Sequence, residues 1–150
     1  MPTFQILHFL ARILAIDYGT KKTGLAVSDP LQIIASGLDT IPTLELFDYL
    51  DNYFTSEDVE TIVIGEPLYP DGNPAQIHHL VVGFKRKLEK KYPAKEIVFQ
   101  DERYTSEEAK DIIRKSGVKK KKRQDKSLVD KVSAVLILQE FMESRRNTIL

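Results

Sequence analysis

Two stretches carry apolar residues in unbroken runs, Ile13-Leu14-Ala15-Ile16 and Ile62-Val63-Ile64. Runs without polar alternation read as strands buried on both faces. The first predicts a strand over Arg12–Asp17, and Gly19-Thr20 behind it permits a sharp turn. Thr23-Gly24-Leu25-Ala26-Val27-Ser28 reads as a second strand, 24–28, returning beside the first. After the Asp29-Pro30 turn, 33–40 completes an antiparallel meander. Thr43 is placed to cap a helix over 44–54, with Leu44, Phe47, Leu50 and Phe54 on one face. A fourth strand follows over 61–65, and Tyr69-Pro70-Asp71-Gly72-Asn73-Pro74 is loop chemistry. An amphipathic helix over 75–91 is closed by Pro93, and 96–100 is a fifth strand. Thr105-Ser106-Glu107-Glu108 has capping-box spacing and opens a helix to Lys115, ended by Ser116-Gly117. Ser127 caps a last helix over 128–144.

Three strands followed by strands separated by helices imply parallel crossovers added to the meander. The expected fold is therefore α/β, a five-stranded mixed sheet with helices on both faces, in one domain spanning residues 1–150. Met1–Leu10 carries no motif and reads as a short extension.

Composition narrows the chemistry. The 150 residues contain no cysteine, so thiolate metal sites and disulfides are excluded. The start lacks the regions of a signal peptide, and no apolar stretch is long enough to span a bilayer, so a cytoplasmic, membrane-free protein is expected. Formal net charge is zero, but it is unevenly spread. Lys115–Lys126 holds seven basic residues and one acid, a flexible basic loop that the rest of the chain must balance with acids. That asymmetry points to one anion-binding segment, although a basic run is also the ordinary composition of a solvated loop.

Three acids stand at informative places. Asp17 ends a strand buried on both faces, where a carboxylate is costly without a partner. Glu102 follows the fifth strand, beside Asp101. Asp130 shares a helix face with Ala134, Ile137 and Phe141, an otherwise apolar stripe that should face the sheet. Converging at one sheet edge, they would form an oxygen-only site suited to Mg²⁺ or Mn²⁺. Each acid also has a plainer role: Asp17 in a turn, Glu102 in a surface ion pair with Arg103, and Asp130 in a Ser127-x-x-Asp130 capping box. His78 and His79 show no acid at ligand spacing along their helix and read as surface or half-buried residues.

Several segments together resemble the YqgF-type pre-16S rRNA nucleases, also described as Holliday-junction-resolvase-like proteins. These are Ala15–Pro30, Val63-Ile64-Gly65-Glu66-Pro67 with Asp71-Gly72, Asp101–Ala109, and Asp130–Gln139, in the family's order. The resemblance implies an RNase H-like fold and a metal-dependent nuclease that matures the 5′ end of 16S rRNA. By position it implies that Asp17, Glu102 and Asp130 are the catalytic acids and hold Mg²⁺ or Mn²⁺. Arg103, with Lys119, Lys120, Lys121, Lys122 and Arg123 of the basic run, then contacts nucleic acid, either pre-rRNA or branched DNA. The chain departs from the family at Glu66, usually apolar there, and in the Tyr69-Pro70-Asp71 loop. Glu66 either adds an acid to the site or faces solvent.

Two other classes compete. Asp-x-Gly-Thr with a hairpin behind it also opens the phosphate loop of actin and sugar-kinase nucleotide-binding modules, but 150 residues do not hold the two domains that fold requires. A non-catalytic RNA-binding assembly factor would be expected to lack one of the acids, and all three are present. A monomer or a homodimer is compatible with the sequence; cutting a two-fold junction would require the dimer.

Overall fold

The computed structural model describes residues 11–102, 105–116 and 126–149. Its elements are β1 (Arg12–Asp17), β2 (Lys22–Ser28), β3 (Ala35–Pro42), a 3-10 turn (Thr43–Glu45), α1 (Leu46–Ser56), β4 (Val59–Glu66), α2 (His78–Lys91), β5 (Glu96–Asp101), α3 (Thr105–Lys115) and α4 (Lys126–Ile149). The five strands form one sheet in the order β3-β2-β1-β4-β5. β1 pairs antiparallel with β2, and β2 with β3, while β4 and β5 add parallel to β1. The meander and the crossovers follow the expected order, and β1, β4 and β5 end at the same edge.

The two sides of β1 explain the two layers of helices. Leu14 and Ile16 pack with Ile62, Ile64, Leu46, Leu50, Phe84 and Leu88, so α1 and α2 cover one face. Ile13 and Ala15 pack with Val63, Ala134, Ile137 and Leu138, so α4 covers the other. Each fully buried aliphatic side chain of this kind is worth about 1.5–3 kcal/mol relative to exposure. α3 is held against α4 by Ala109, Ile113 and Val129.

Three local expectations are corrected. Thr43 is no helix cap: its Oγ1 donates to the Gly19 carbonyl at 2.6 Å and lies 2.9 Å from the Thr23 hydroxyl. Its N–H donates to the Lys21 carbonyl at 2.9 Å. These bonds place a 3-10 turn before α1, so Leu44 is 99% exposed and Leu46 is buried in its stead, while Leu50, Phe47 and Phe54 pack on the core as expected. The second helix begins at His78, because the preceding residues close a small loop through an Ala75 N–H to Pro67 carbonyl bond and a Leu68–Pro74 bridge. The last helix begins at Lys126 and runs to Ile149, so Ser127 lies in its first turn rather than capping it.

Met1–Leu10, Arg103 and Lys119–Arg123 lie outside the described residues. Among the described residues, no helix is long and apolar enough to cross a membrane.

Candidate active site

Period-2 alternation assigns each residue of the strand ends to a face. Tyr18 packs on Phe84 on the α1/α2 side, with ring centroids 4.7 Å apart. Asp17, one residue earlier, therefore points to the α4 side. Its paired residue on β2 is Gly24. On β4, Ile64 pairs with Ile16, so Gly65 follows beside Asp17 on its other flank. Asp17 is thus bracketed by glycines, and both are needed for space. A Cβ on Gly24 would stand 2.2 Å from the Asp130 carbonyl oxygen. A Cβ on Gly65 would stand 2.5 Å from Glu102 Oε2 and 2.7 Å from Ile137 Cδ1. The first glycine admits α4 close over β2, and the second admits the Glu102 carboxyl over β4.

α4 is pinned at the turn that carries Asp130. Lys22 Nζ donates to Ser127 Oγ at 3.1 Å, and Thr40 Oγ1 donates to the Ser127 carbonyl at 2.7 Å. Asp130 itself is 5% exposed, on the same stripe as the fully buried Ala134 and Ile137 and the half-buried Phe141. The stripe expected from spacing is present, and the structure brings Asp17, Glu102 and Asp130 together from β1, the end of β5 and α4.

The electrostatics record that convergence. Glu102 is pushed up to about 9 from an ordinary 4.5, first by burial, then by the charge of Asp17 and a hydrogen bond to its side chain, and then by the charges of Asp101 and Asp130. Glu102 shares a hydrogen bond with Asp17, and burial together with the neighbouring carboxylates favours its protonated form. Like charges this close cannot all stay ionised without a cation. The oxygen-only donor set suits a hard divalent cation. Among the described residues, no three acidic or imidazole side chains already stand around a common point.

This cluster has a measurable cost. Because the folded pKa of Glu102 lies above its unfolded value, the stability it contributes is complete below about pH 4.5 and is lost as pH rises through about 9. In chelator, the melting temperature of the wild type should fall across that window by on the order of 5 °C more than that of Glu102→Gln. Parallel curves for the two proteins would remove the cluster.

Glu66 neither joins the acids nor simply faces solvent. It follows Gly65 on the strand, so it points to the α2 side, where its Oε2 lies 2.9 Å from His78 Nε2. Sequence reasoning missed this pair because it looked for acids along the helix of His78, whereas the partner sits at the end of β4. It also gave Gly24 and Gly65 only places in strands and in the family's segments, with no part in the site. The available signal was parity: both glycines fall on the strand face that carries Asp17.

Comparison with known proteins agrees with this architecture. The profile of the family RuvX, described as Holliday junction resolvase, matches residues 11–144. A Flavobacterium johnsoniae protein is 45% identical over 137 residues, covering 91% of this chain and 99% of its own. One from Christiangramia forsetii is 47% identical over 133 residues, covering 89% and 98%. Both carry the name "Putative pre-16S rRNA nuclease". Among solved structures, T. thermophilus RuvC in complex with Holliday junction substrate superposes with a TM-score of 0.52 at 16% identity, covering 92% of this chain and 97% of that one. At that identity the likeness speaks for the fold alone, an RNase H-like sheet. A profile match that reaches from the residue before β1 to the far half of α4, with relatives nearly half identical over almost their whole length, shows that the chain belongs to the RuvX family.

Proposed function

We propose that this chain is a metal-dependent endonuclease that hydrolyses phosphodiester bonds in maturing the 5′ end of pre-16S rRNA, in the cytoplasm, with Asp17, Glu102 and Asp130 as its catalytic acids. One observation carries the reading: the Glu102 carboxyl at the end of β5, lying over Gly65, shares one buried space with Asp17 from β1 and with Asp130 from α4, whose turn lies over Gly24. Such a cluster costs stability and is the usual mark of a working site. The names of the relatives support RNA as the substrate.

Asp17, Glu102 and Asp130 would hold Mg²⁺ or Mn²⁺. When bound, such an ion offsets the crowded charge, makes water acidic enough to attack and stabilises the leaving oxygen. The chain's own residues set the geometry: Gly65 leaves the Glu102 carboxyl its place beside Asp17, and Ser127 fixes the first turn of α4 to Lys22 and Thr40. Arg103 and Lys119–Arg123 are assigned to backbone phosphates, which position a substrate without reading its bases. Binding through them should weaken steeply with salt.

The description attached to the RuvX family favours a second reading, cleavage of a four-way DNA junction, for which two protomers would be needed. Offering the purified protein precursor 16S rRNA and a four-way junction, each with Mg²⁺ and with chelator, tests both. Chelator-sensitive cleavage near the rRNA 5′ end with the junction left intact supports the first reading. The reverse pattern replaces the substrate, and no cleavage of either overturns the nuclease assignment.

A further inference from the structure

The hydroxyl of Ser133 is a buried polar group that finds no hydrogen-bond partner among the described residues. Ser133 is fully buried on α4. A hydroxyl removed from water without a partner is unfavourable, so a native structure that retains one invites the question of what it serves.

Its position answers in part. Ser133 stands three residues after Asp130 and four before Ile137, so the three form one stripe along α4. Both neighbours reach the acid cluster. The backbone and Cβ of Asp130 lie over Gly24, and its charge acts on Glu102. Ile137 Cδ1 and the Glu102 carboxyl both lie over Gly65. Around the helix, at about 100° per residue, Ser133 falls between Ile137 and Val129. Val129 belongs to the seam with α3, while Lys131 and Val135 on the opposite flank pack on Gly37 of β3. Ser133 is therefore on the flank of α4 turned toward β5 and α3, the side from which Glu102 enters the site.

We propose that Ser133 is a positioning residue for Glu102: its hydroxyl is the donor that orients the Glu102 carboxylate when that carboxylate serves a bound divalent cation. The inference rests on the proposed acid site and deepens it. Groups that orient a metal-holding carboxylate typically change metal affinity by about 10–100-fold when removed.

The test compares wild type, Ser133→Ala and Asp17→Asn by calorimetric titration with Mn²⁺ alone and by melting temperature in chelator. The expected result is that Ser133→Ala binds Mn²⁺ about tenfold more weakly while its metal-free melting temperature is unchanged or higher, because an unpartnered buried hydroxyl has been removed. Ser133→Ala binding as tightly as wild type, with Asp17→Asn weakened, overturns the role of Ser133 and leaves the acid site standing. A marked loss of metal-free stability in Ser133→Ala also overturns it, since the hydroxyl would then be part of the scaffold. Asp17→Asn binding as tightly as wild type, or a wild type that binds no Mn²⁺, overturns both.

Discussion

Asp17→Asn is expected to lower chelator-sensitive cleavage of precursor 16S rRNA by at least about a hundredfold while the protein stays folded. Asparagine keeps the shape of the aspartate and removes its charge. The loss falls on the acid whose charge and hydrogen bond, after burial, do most to hold Glu102 protonated. Without Asp17 the pKa of Glu102 moves back toward its ordinary range, and the asparagine amide can donate to the carboxylate. Stability and activity should therefore separate: the metal-free variant should melt no lower than wild type at pH 8, and its cleavage should be nearly absent. A working site that strains its own scaffold behaves in this way. Cleavage equal to wild type, measured at the same Mg²⁺ concentration, would remove Asp17 from the mechanism.

Replacing the two glycines beside Asp17 should separate stability from activity in a different manner. In Gly24→Ala the new methyl meets the Asp130 carbonyl oxygen at 2.2 Å and its carbon at 2.6 Å, and both are backbone atoms of a docked helix. Neither can swing aside, so α4 must shift. A cost of about 1–3 kcal/mol is expected, with a melting temperature several degrees lower. Because α4 carries Asp130, activity should fall as well; a displacement near 1 Å at a reacting group can cost on the order of a hundredfold. In Gly65→Ala the methyl meets the ends of two side chains, Glu102 Oε2 at 2.5 Å and Ile137 Cδ1 at 2.7 Å. Side-chain ends can turn away, so the stability loss should be the smaller of the two, while the displaced Glu102 carboxyl takes activity with it. Thermal melts and initial cleavage rates of the two variants check this. Should Gly65→Ala keep full activity, Glu102 would not need its place over β4.

The same contrast between local and distant partners explains which expectations succeeded. Ile13–Ile16 was legible as a strand because burial on both faces leaves no alternation, and all four residues are at most 1% exposed. The start of α1 was not legible. Thr43 has the chemistry of a cap, but its hydroxyl and N–H go to Gly19, Thr23 and Lys21, from the preceding hairpin. The pairing of Glu66 with His78 was hidden for the same reason, since it joins a strand end to a helix across a loop.

Asp17, Glu102 and Asp130 were marked in advance by conflict, acids set at strand ends or on an apolar helical stripe, where sequence position already predicts burial. The resemblance to a nuclease family then related them to one another. By itself, then, the sequence determined the order of the elements along the chain, the burial of β1 on both faces and the three acids as candidates, because hydrophobic period and local cost are properties of neighbours along the chain. Only the tertiary structure decided that Glu102 meets Asp17 over Gly65, that α4 rests its Asp130 turn on Gly24, and that the Ser133 hydroxyl finds no partner among the described residues. Those facts depend on how closely two backbones approach and on which charges share one low-dielectric space. No spacing along a single chain encodes that distance.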